Sequence, residues 1–385
     1  MANNKVEKVI IIGGGVGGLC TAIALRQIGI ETTVYERADQ FGDVGSGLSI
    51  WANAVSALRR LGVADEAIAA GAKIQRGQIR ARTGKVLATT EPGELERMFG
   101  EPSIVIHRTV LHQVLLNALP TETVHLGAAC TRVEQDGTGV TATFADGRQA
   151  RADMLVGADG VRSVIRQQLF PAIKLRYSGY TAWRGVVRTA DEIALGITSE
   201  SWGRGNRFGI LRLDAARVYW FATANSTPDK TYTPDERKAL LQTTFQGWHH
   251  PVSHLIAQTP AEAILHNDIY DVKPMERWSQ GRVTLLGDAA HPTTPNMGQG
   301  ACMAVESAVT LAQCLSQNGD LEAALSDYER RRQPRTARVT NQSWQIGRVG
   351  QLENRLACAV RDTLFSVLPR SILKGQMAKV VGNSQ

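Results

Sequence analysis

Short apolar runs alternate along this chain with stretches whose apolar positions return every three or four residues. The first run, Val9-Ile10-Ile11-Ile12, has no polar break, as expected of a strand covered on both faces. Ala22, Ile23 and Leu25 then mark the inner face of a helix, and Thr32-Thr33-Val34-Tyr35 reads as a second strand. A loop runs from Arg37 to Gly47, after which Ser49 reads as the N-cap of a helix carrying Trp51, Val55, Leu58 and Leu61. Residues 73–99 read as hairpin material. Residues 103–119 repeat strand then helix, with Arg108-Thr109 at the helix start. Short strands follow near 123–126, 130–135 and 139–144, with a turn at Asp146-Gly147 and another strand at Asp153-Met154-Leu155-Val156.

From about 176 to 273 the texture changes. Aromatics and arginines dominate, with strand patterns at 178–188, 207–213, 217–224 and 264–272 and a helix near 234–246. This predicts a separate antiparallel layer. The strand Arg282-Val283-Thr284-Leu285-Leu286 returns to the earlier style, and helices are expected at 299–316, 320–333 and 335–365. The fold class that follows is α/β (α+β overall): a Rossmann-like nucleotide-binding domain, an inserted antiparallel-sheet substrate domain and C-terminal helices. The predicted parts are 1–72, 100–175 and 274–334 for the nucleotide domain, 73–99 and 176–273 for the substrate domain, and 335–385 for the helical end.

Composition narrows the class. The 385 residues are 43% hydrophobic and 21% charged, and no apolar run approaches the length of a transmembrane span. The first residues are polar and lack a signal-peptide core, so a cytoplasmic protein is expected. Five scattered cysteines without CxxC spacing fit reduced thiols and give no zinc site; no metal is expected. Net charge is +7, with Arg330-Arg331-Arg332 and Arg335 clustered on what reads as a solvated helix face. No aromatic-interleaved basic stretch suggests nucleic acid. His291 reads as structural, and His249-His250 with His254 as loop.

Three stretches carry candidate chemistry. The first strand runs into Gly13-Gly14-Gly15-Val16-Gly17-Gly18, a Gly-x-Gly-x-x-Gly in strand–turn–helix context. Gly13 suits the tight turn, Gly15 the approach of backbone to a pyrophosphate, and Gly18 close helix–strand packing. Glu36 follows Gly18 by 18 residues, near the spacing of the acid that binds a ribose 2′-hydroxyl. That points to FAD or NAD rather than NADP. The second stretch is Asp159-Gly160 at the end of a strand. The third is Gly287-Asp288 through Pro292, Pro295, Gly298, Gln299 and Gly300, an acid at a strand end followed by a glycine-rich helix start.

Together, in this order, the three stretches resemble the single-component, FAD-dependent aromatic hydroxylases, the class A flavoprotein monooxygenases. The resemblance covers roughly residues 6–335 and implies a FAD-binding domain of the hydroxybenzoate-hydroxylase type. It implies that Gly13, Gly15, Val16, Gly17 and Gly18 line the pyrophosphate and that Glu36 binds the FAD ribose. Arg37, Ser49, Arg108, the backbone of Cys130, Asp159 and Asp288 would also meet the cofactor. Gly298, Gln299, Gly300, Ala301 and Cys302 would cradle the flavin's pyrimidine edge, where reduced flavin is anionic. NADH or NADPH would reduce the flavin transiently, and O2 would add at C4a to give a hydroperoxide that hydroxylates a small aromatic or heteroaromatic substrate. Pro295 would wall the flavin face against water.

Arg207 and Tyr219 lie where urate-hydroxylating relatives carry an arginine and a tyrosine, and are the candidate catalytic residues with Pro295. Those relatives place an aspartate where this chain has Asn296, which counts against urate. Glu306-Ser307 also departs from the family, which often has two acids there. The strand Val218-Tyr219-Trp220-Phe221 can present either Trp220 or the Tyr219–Phe221 pair to the pocket. A monomer or homodimer is expected. A halogenase is disfavoured because no tryptophans stand two residues apart. A FAD-dependent epoxidase or reductase of a lipid-like substrate, and a non-enzymatic FAD-binding protein, are the rival readings.

Overall fold

The computed structural model describes residues 6–42, 46–189 and 193–369, with Gly375 and Ala378. Its centre is a six-stranded sheet in the order Ser279–Gln280, Val283–Leu285, Met154–Gly157, Lys8–Ile12, Glu31–Tyr35, Val124–His125. Every neighbouring pair is parallel except the outermost, Ser279–Gln280 with Val283–Leu285. Val9 to Ile12 are buried in the middle of this sheet, which is why the run tolerates no polar residue.

Helices Val16–Gln27 and Gly300–Gln317 pack side by side on it. A Cβ on Gly17 would stand 3.3 Å from the Cβ of Ala304 and 3.0 Å from Leu286, so the two helix starts share one end of the molecule. That end is the carboxyl edge of the parallel strands, where open α/β sheets bind ligands.

The second layer is a seven-stranded sheet: Leu265–Asp271, Arg176–Arg188, Arg217–Asn225, Asn206–Arg212, Ile197–Trp202, Arg76–Ala81 and Val86–Thr90. The predicted layer is there, with one correction. Ile197–Trp202, which the pattern did not reveal, pairs parallel with Arg76–Ala81, so the sheet is not wholly antiparallel. A small antiparallel sheet of Gln149–Ala152, Val140–Phe144 and Cys130–Gln135, and another of Gly47–Ile50, Ile104–His107 and Ala72–Lys73, complete the strands used below.

Four further expectations are corrected. Residues 73–99 end in a helix, Pro92–Phe99, with proline in its first turn and left-handed Gly100 as its cap. Ser49 is not an N-cap: it lies in the strand Gly47–Ile50, paired with Val105, and the following helix Ala52–Arg60 is closed by Ser103 Oγ accepting from Ala52 N. The break at Pro334 does not occur. One 30-residue helix, Leu321–Gly350, runs through it, because Arg332 and Arg335 on either side are pinned to one buried acid, Glu306. The helix stops instead at Gln351, and a new one, Arg355–Val367, starts where Asn354 Oδ1 accepts from Leu356 N and Ala357 N. Finally, His254 belongs to a helix, Val252–Gln258, and not to a loop. Residues 43–45 of the expected loop, and most of the stretch beyond 369, lie outside the described residues.

Candidate active site

The fingerprint adopts the geometry its glycines permit. Gly13 has φ +109, and a Cβ there would meet the Ala158 carbonyl oxygen at 2.3 Å; a Cβ on Gly18 would lie 1.9 Å from the Gly13 carbonyl oxygen. Gly15, by contrast, faces open space. It caps the helix Val16–Gln27 with no side chain, and no acid occupies that helix's first turn. Glu36 Oε2 accepts from Gly14 N at 2.7 Å and Oε1 from Ala38 N at 3.0 Å, which fixes the carboxylate beside the turn. Arg37 next to it is exposed. His112, unread in the sequence, reaches this turn from the helix Arg108–Asn117; it is buried against Phe41, and burial lowers its pKa.

The helix Gly300–Gln317 also begins without a side-chain cap and without a first-turn acid. Gly298 before it has left-handed φ +61, and a Cβ there would lie 3.1 Å from Trp51 Nε1. Gly300 has room: the nearest atoms to an added Cβ are Thr293 Cγ2 at 3.7 Å and Asp288 Oδ1 at 3.9 Å. Asp288 is reached by solvent along this opening although protein surrounds it. That crowding raises its pKa, and the Arg108 and Arg166 charges oppose the shift. Cys302 is buried and receives Trp51 N at 3.4 Å, tying Gly47–Ile50 to the helix start; burial pushes its thiol up to about 12.

Ser49 lies on that strand, its Cβ 3.7 Å from the Gly298 Cβ position. Ala301 is half-buried in the first turn. Arg108 is exposed, its N donating to Ser46 O.

Three buried polar atoms around this opening have no partner: Gln299 Nε2, Asn53 Oδ1 and Trp51 Nε1. Buried donors and acceptors left open at uncapped helix starts fit a polar ligand such as the pyrimidine edge of a flavin, with its diphosphate at Gly15.

The other strand-end acid is mainly structural. Asp159 Oδ2 accepts from Val164 N and Ile165 N, while its Oδ1 is buried without a partner. Cys130 is half-buried nearby, its thiol pushed up to about 11 by burial. Arg166, also unread in the sequence, ties the two motifs together: fully buried, it donates to the carbonyls of Asp288, Ala289 and Val161.

Beneath the helix start lies a buried polar cluster. Glu306 accepts from Arg332, Arg335 and Asn53, and Asn53 also donates to Gln299 Oε1 at 3.2 Å. Burial alone would raise the Glu306 pKa; the two guanidiniums reverse this and bring it down to about 2. Half of the basic cluster read as a solvated face is therefore interior, because Arg332 and Arg335 have a buried acid to meet. Ser307 bonds His291 Nε2 at 3.1 Å and accepts from Arg332 Nε. His291 is buried and held neutral, its pKa lowered to about 3 by burial and by Arg332. Among the described residues no three His, Cys, Asp or Glu side chains cluster as a metal site.

The substrate candidates divide by face. Trp220 points away, stacked on Phe208 at 5.4 Å and donating to Thr259 Oγ1. Tyr219 and Phe221 point the other way, and the Tyr219 ring packs on Gly47. Arg207 shares their face but stands four positions along the strand from Leu211, the partner of Tyr219, about 13 Å away. The structure therefore does not bring Arg207 and Tyr219 together. Between them, Phe221 lies over Gly209, whose missing Cβ would be 2.0 Å from that ring.

Arg207 is buried and closed by its own chain. Nε donates to Gln351 Oε1 at 2.7 Å, Nη1 to Glu200 Oε1 at 2.8 Å and Nη2 to Asn296 Oδ1 at 2.7 Å. Asn296 also accepts from Tyr180 OH and donates to Thr294 Oγ1 and Ser343 O. It thereby fixes the short turn Pro295–Met297 just before Gly298, with Pro295 exposed.

An uncapped fingerprint helix, a second uncapped helix with an acid at its mouth, and an aromatic-floored sheet beside it define a FAD-dependent monooxygenase. The chain belongs to the FAD binding domain family, whose model matches residues 7–343. It is 44% identical over 360 residues to aurachin C monooxygenase/isomerase of Stigmatella aurantiaca, covering 94% of each chain. It is 31% identical over 370 residues, 94% of each chain, to 2-heptyl-3-hydroxy-4(1H)-quinolone synthase of Pseudomonas aeruginosa. Its fold matches Klebsiella pneumoniae HpxO complexed with FAD and uric acid at a TM-score of 0.91 and 31% identity, over 97% of this chain and 96% of that one.

Proposed function

We propose that this enzyme oxygenates a neutral, electron-rich heteroaromatic ring of the quinolone class, with NAD(P)H as electron donor and O2 as oxygen source. Substrate, O2, NAD(P)H and a proton give oxygenated product, NAD(P)+ and water. When bound, FAD supplies activated oxygen at its C4a position. In this reading Glu36 takes the adenosine ribose hydroxyls on its remaining lone pairs, and Arg37 and the backbone at Cys130 border the adenosine. The N–H groups at Gly15, Val16, Gly17 and Gly18 hold the diphosphate. Arg108, Asp159 and Asp288 border the ribityl chain. The first-turn N–H groups of Gly300, Ala301 and Cys302, with Gly298, Gln299 and Ser49 around them, stabilise negative charge on the pyrimidine edge. Pro295 excludes water from the ring face.

The observation that carries the choice of substrate is Arg207. Its charge is matched by Glu200 at 2.8 Å, each of its three nitrogens donates to Glu200, Asn296 or Gln351, and it is 2% exposed, so it is poorly placed to take a carboxylate or a urate anion. On that face the apolar ring of Phe221, with Tyr219 at 6.4 Å, forms the floor, and Arg184, opposite Phe221 on the next strand, is turned to Asn267 Oδ1 at 3.2 Å. Two relatives named for aurachin C and for an alkylquinolone agree with a neutral ring. The test is stimulated NAD(P)H oxidation by 4-quinolones with and without a 2-alkyl chain, by urate and by aminohydroxybenzoate, with products weighed for one added oxygen. Quinolones are expected to stimulate; stimulation by urate alone would overturn the substrate reading. Asp288→Ala is expected to weaken FAD retention, read as flavin lost on gel filtration.

A further inference from the structure

The helix Arg355–Val367 has two unlike faces. Its inner face is secured. Arg361 is buried and donates to the carbonyls of Gly203 and Gly350, its guanidinium over Trp202, and the Phe365 ring meets Trp202 edge-on at 4.9 Å. Cys358 is buried alongside. The outer face carries Leu356, Val360, Leu364 and Val367, which are 77%, 59%, 56% and 69% exposed. At about 100° per residue these four fall within an arc of about 80°. Folding does not need them there, since the inner face already anchors the helix. In the last turns of the preceding helix, Ile346 and Val349 are exposed as well, with the basic Arg348 between them in the chain.

We propose that this stripe seats the enzyme on the surface of an anionic lipid bilayer. The occupant follows from charge. Arg355 opens the helix, and from residue 363 to 385 the sequence holds Arg370, Lys374 and Lys379 and no acid. The whole chain carries +7. The acids on or beside the helix are engaged: Asp362 pairs with Arg361, and Glu353 accepts from Asn225. An apolar arc opened by Arg355 and followed in the sequence by basic residues without acids suits a helix lying in the interfacial plane, where apolar burial and attraction to anionic headgroups add. Among the described residues no helix is long and apolar enough to cross a membrane, so the contact is peripheral. A second copy of the chain would bring like charge against like charge, which favours lipid over self-association.

The test uses the full-length, FAD-loaded protein and sedimentation with phosphatidylcholine vesicles with or without phosphatidylglycerol. The protein is expected to pellet with the anionic vesicles, to stay in solution with phosphatidylcholine alone, and to be released by salt. Val360→Ser with Leu364→Ser is expected to reduce vesicle binding at least tenfold while leaving gel-filtration volume, circular dichroism and basal NAD(P)H oxidation unchanged. No pelleting of the unaltered protein, or equal pelleting of the double variant, would overturn the proposal. So would a dimer that the same substitutions dissociate, since the stripe would then be a self-interface.

Discussion

Two buried arginine sites flank the opening, and they are built in opposite senses. Under the cofactor end, one acid, Glu306, sits between two arginines, Arg332 and Arg335, all within the molecule's interior. On the aromatic face of the seven-stranded sheet, one arginine, Arg207, sits among one acid and two amides, Glu200, Asn296 and Gln351. The first site has an excess of buried positive charge and relies on its acid for charge balance, with Ser307 Oγ and the Met303 carbonyl as neutral acceptors for Arg332. The second is balanced, and each partner is replaceable in part by its neighbours. A site of the first kind supports; a site of the second kind can be retuned.

The largest expected effect breaks the first site. Glu306→Ala leaves two buried guanidiniums unpaired and is expected to cost about 3–5 kcal/mol in denaturant unfolding, with FAD retention lost as well. Arg207→Ala removes the second site's only cation. We expect about 1–3 kcal/mol of destabilisation, and substrate-stimulated kcat/KM falling further than FAD affinity does. Equal loss of both would mean that Arg207 serves the cofactor end.

Smaller at any one pH unit, though spread over several, is the pH response beside Arg332. His291 is held neutral down to about 3, whereas the unfolded chain takes up this proton near 6.5. Its native state is therefore fully favoured above 6.5 and loses ground as pH falls toward about 3, by at most about 1.4 kcal/mol per pH unit. His291→Gln is expected to flatten the urea-unfolding profile between those values. The smallest effect sharpens the second site. Asn296→Asp gives Arg207 a second carboxylate but sets an acceptor against the Ser343 carbonyl where the amide donated, and is expected to cost about 1–2 kcal/mol in denaturant unfolding.

The same contrast governs what was legible in the sequence. Val9–Ile12, the fingerprint glycines, Glu36 and the start at Arg108 are local patterns, and each lies where its spacing put it. Ser49 misled because a serine before an apolar period looks like a cap, whereas Ser103 on another strand closes that helix. Pro334 misled because the local cost of a helical proline is outweighed by contacts to Glu306. Arg166, Glu200 and Gln351 were not readable at all. Arg166 meets its Asp288 carbonyl across 122 residues, and Gln351 meets Arg207 across 144, distances no periodicity spans.

The helix Leu321–Gly350 touches both arginine sites. Arg332 and Arg335 grip the acid beneath the cofactor opening, Ser343 holds Thr294 and Asn296, and Gln351 at its end meets Arg207. The two seats thus hang from a single rod. One helix therefore sets the spacing between the acid under the opening and the arginine beside the aromatic rings.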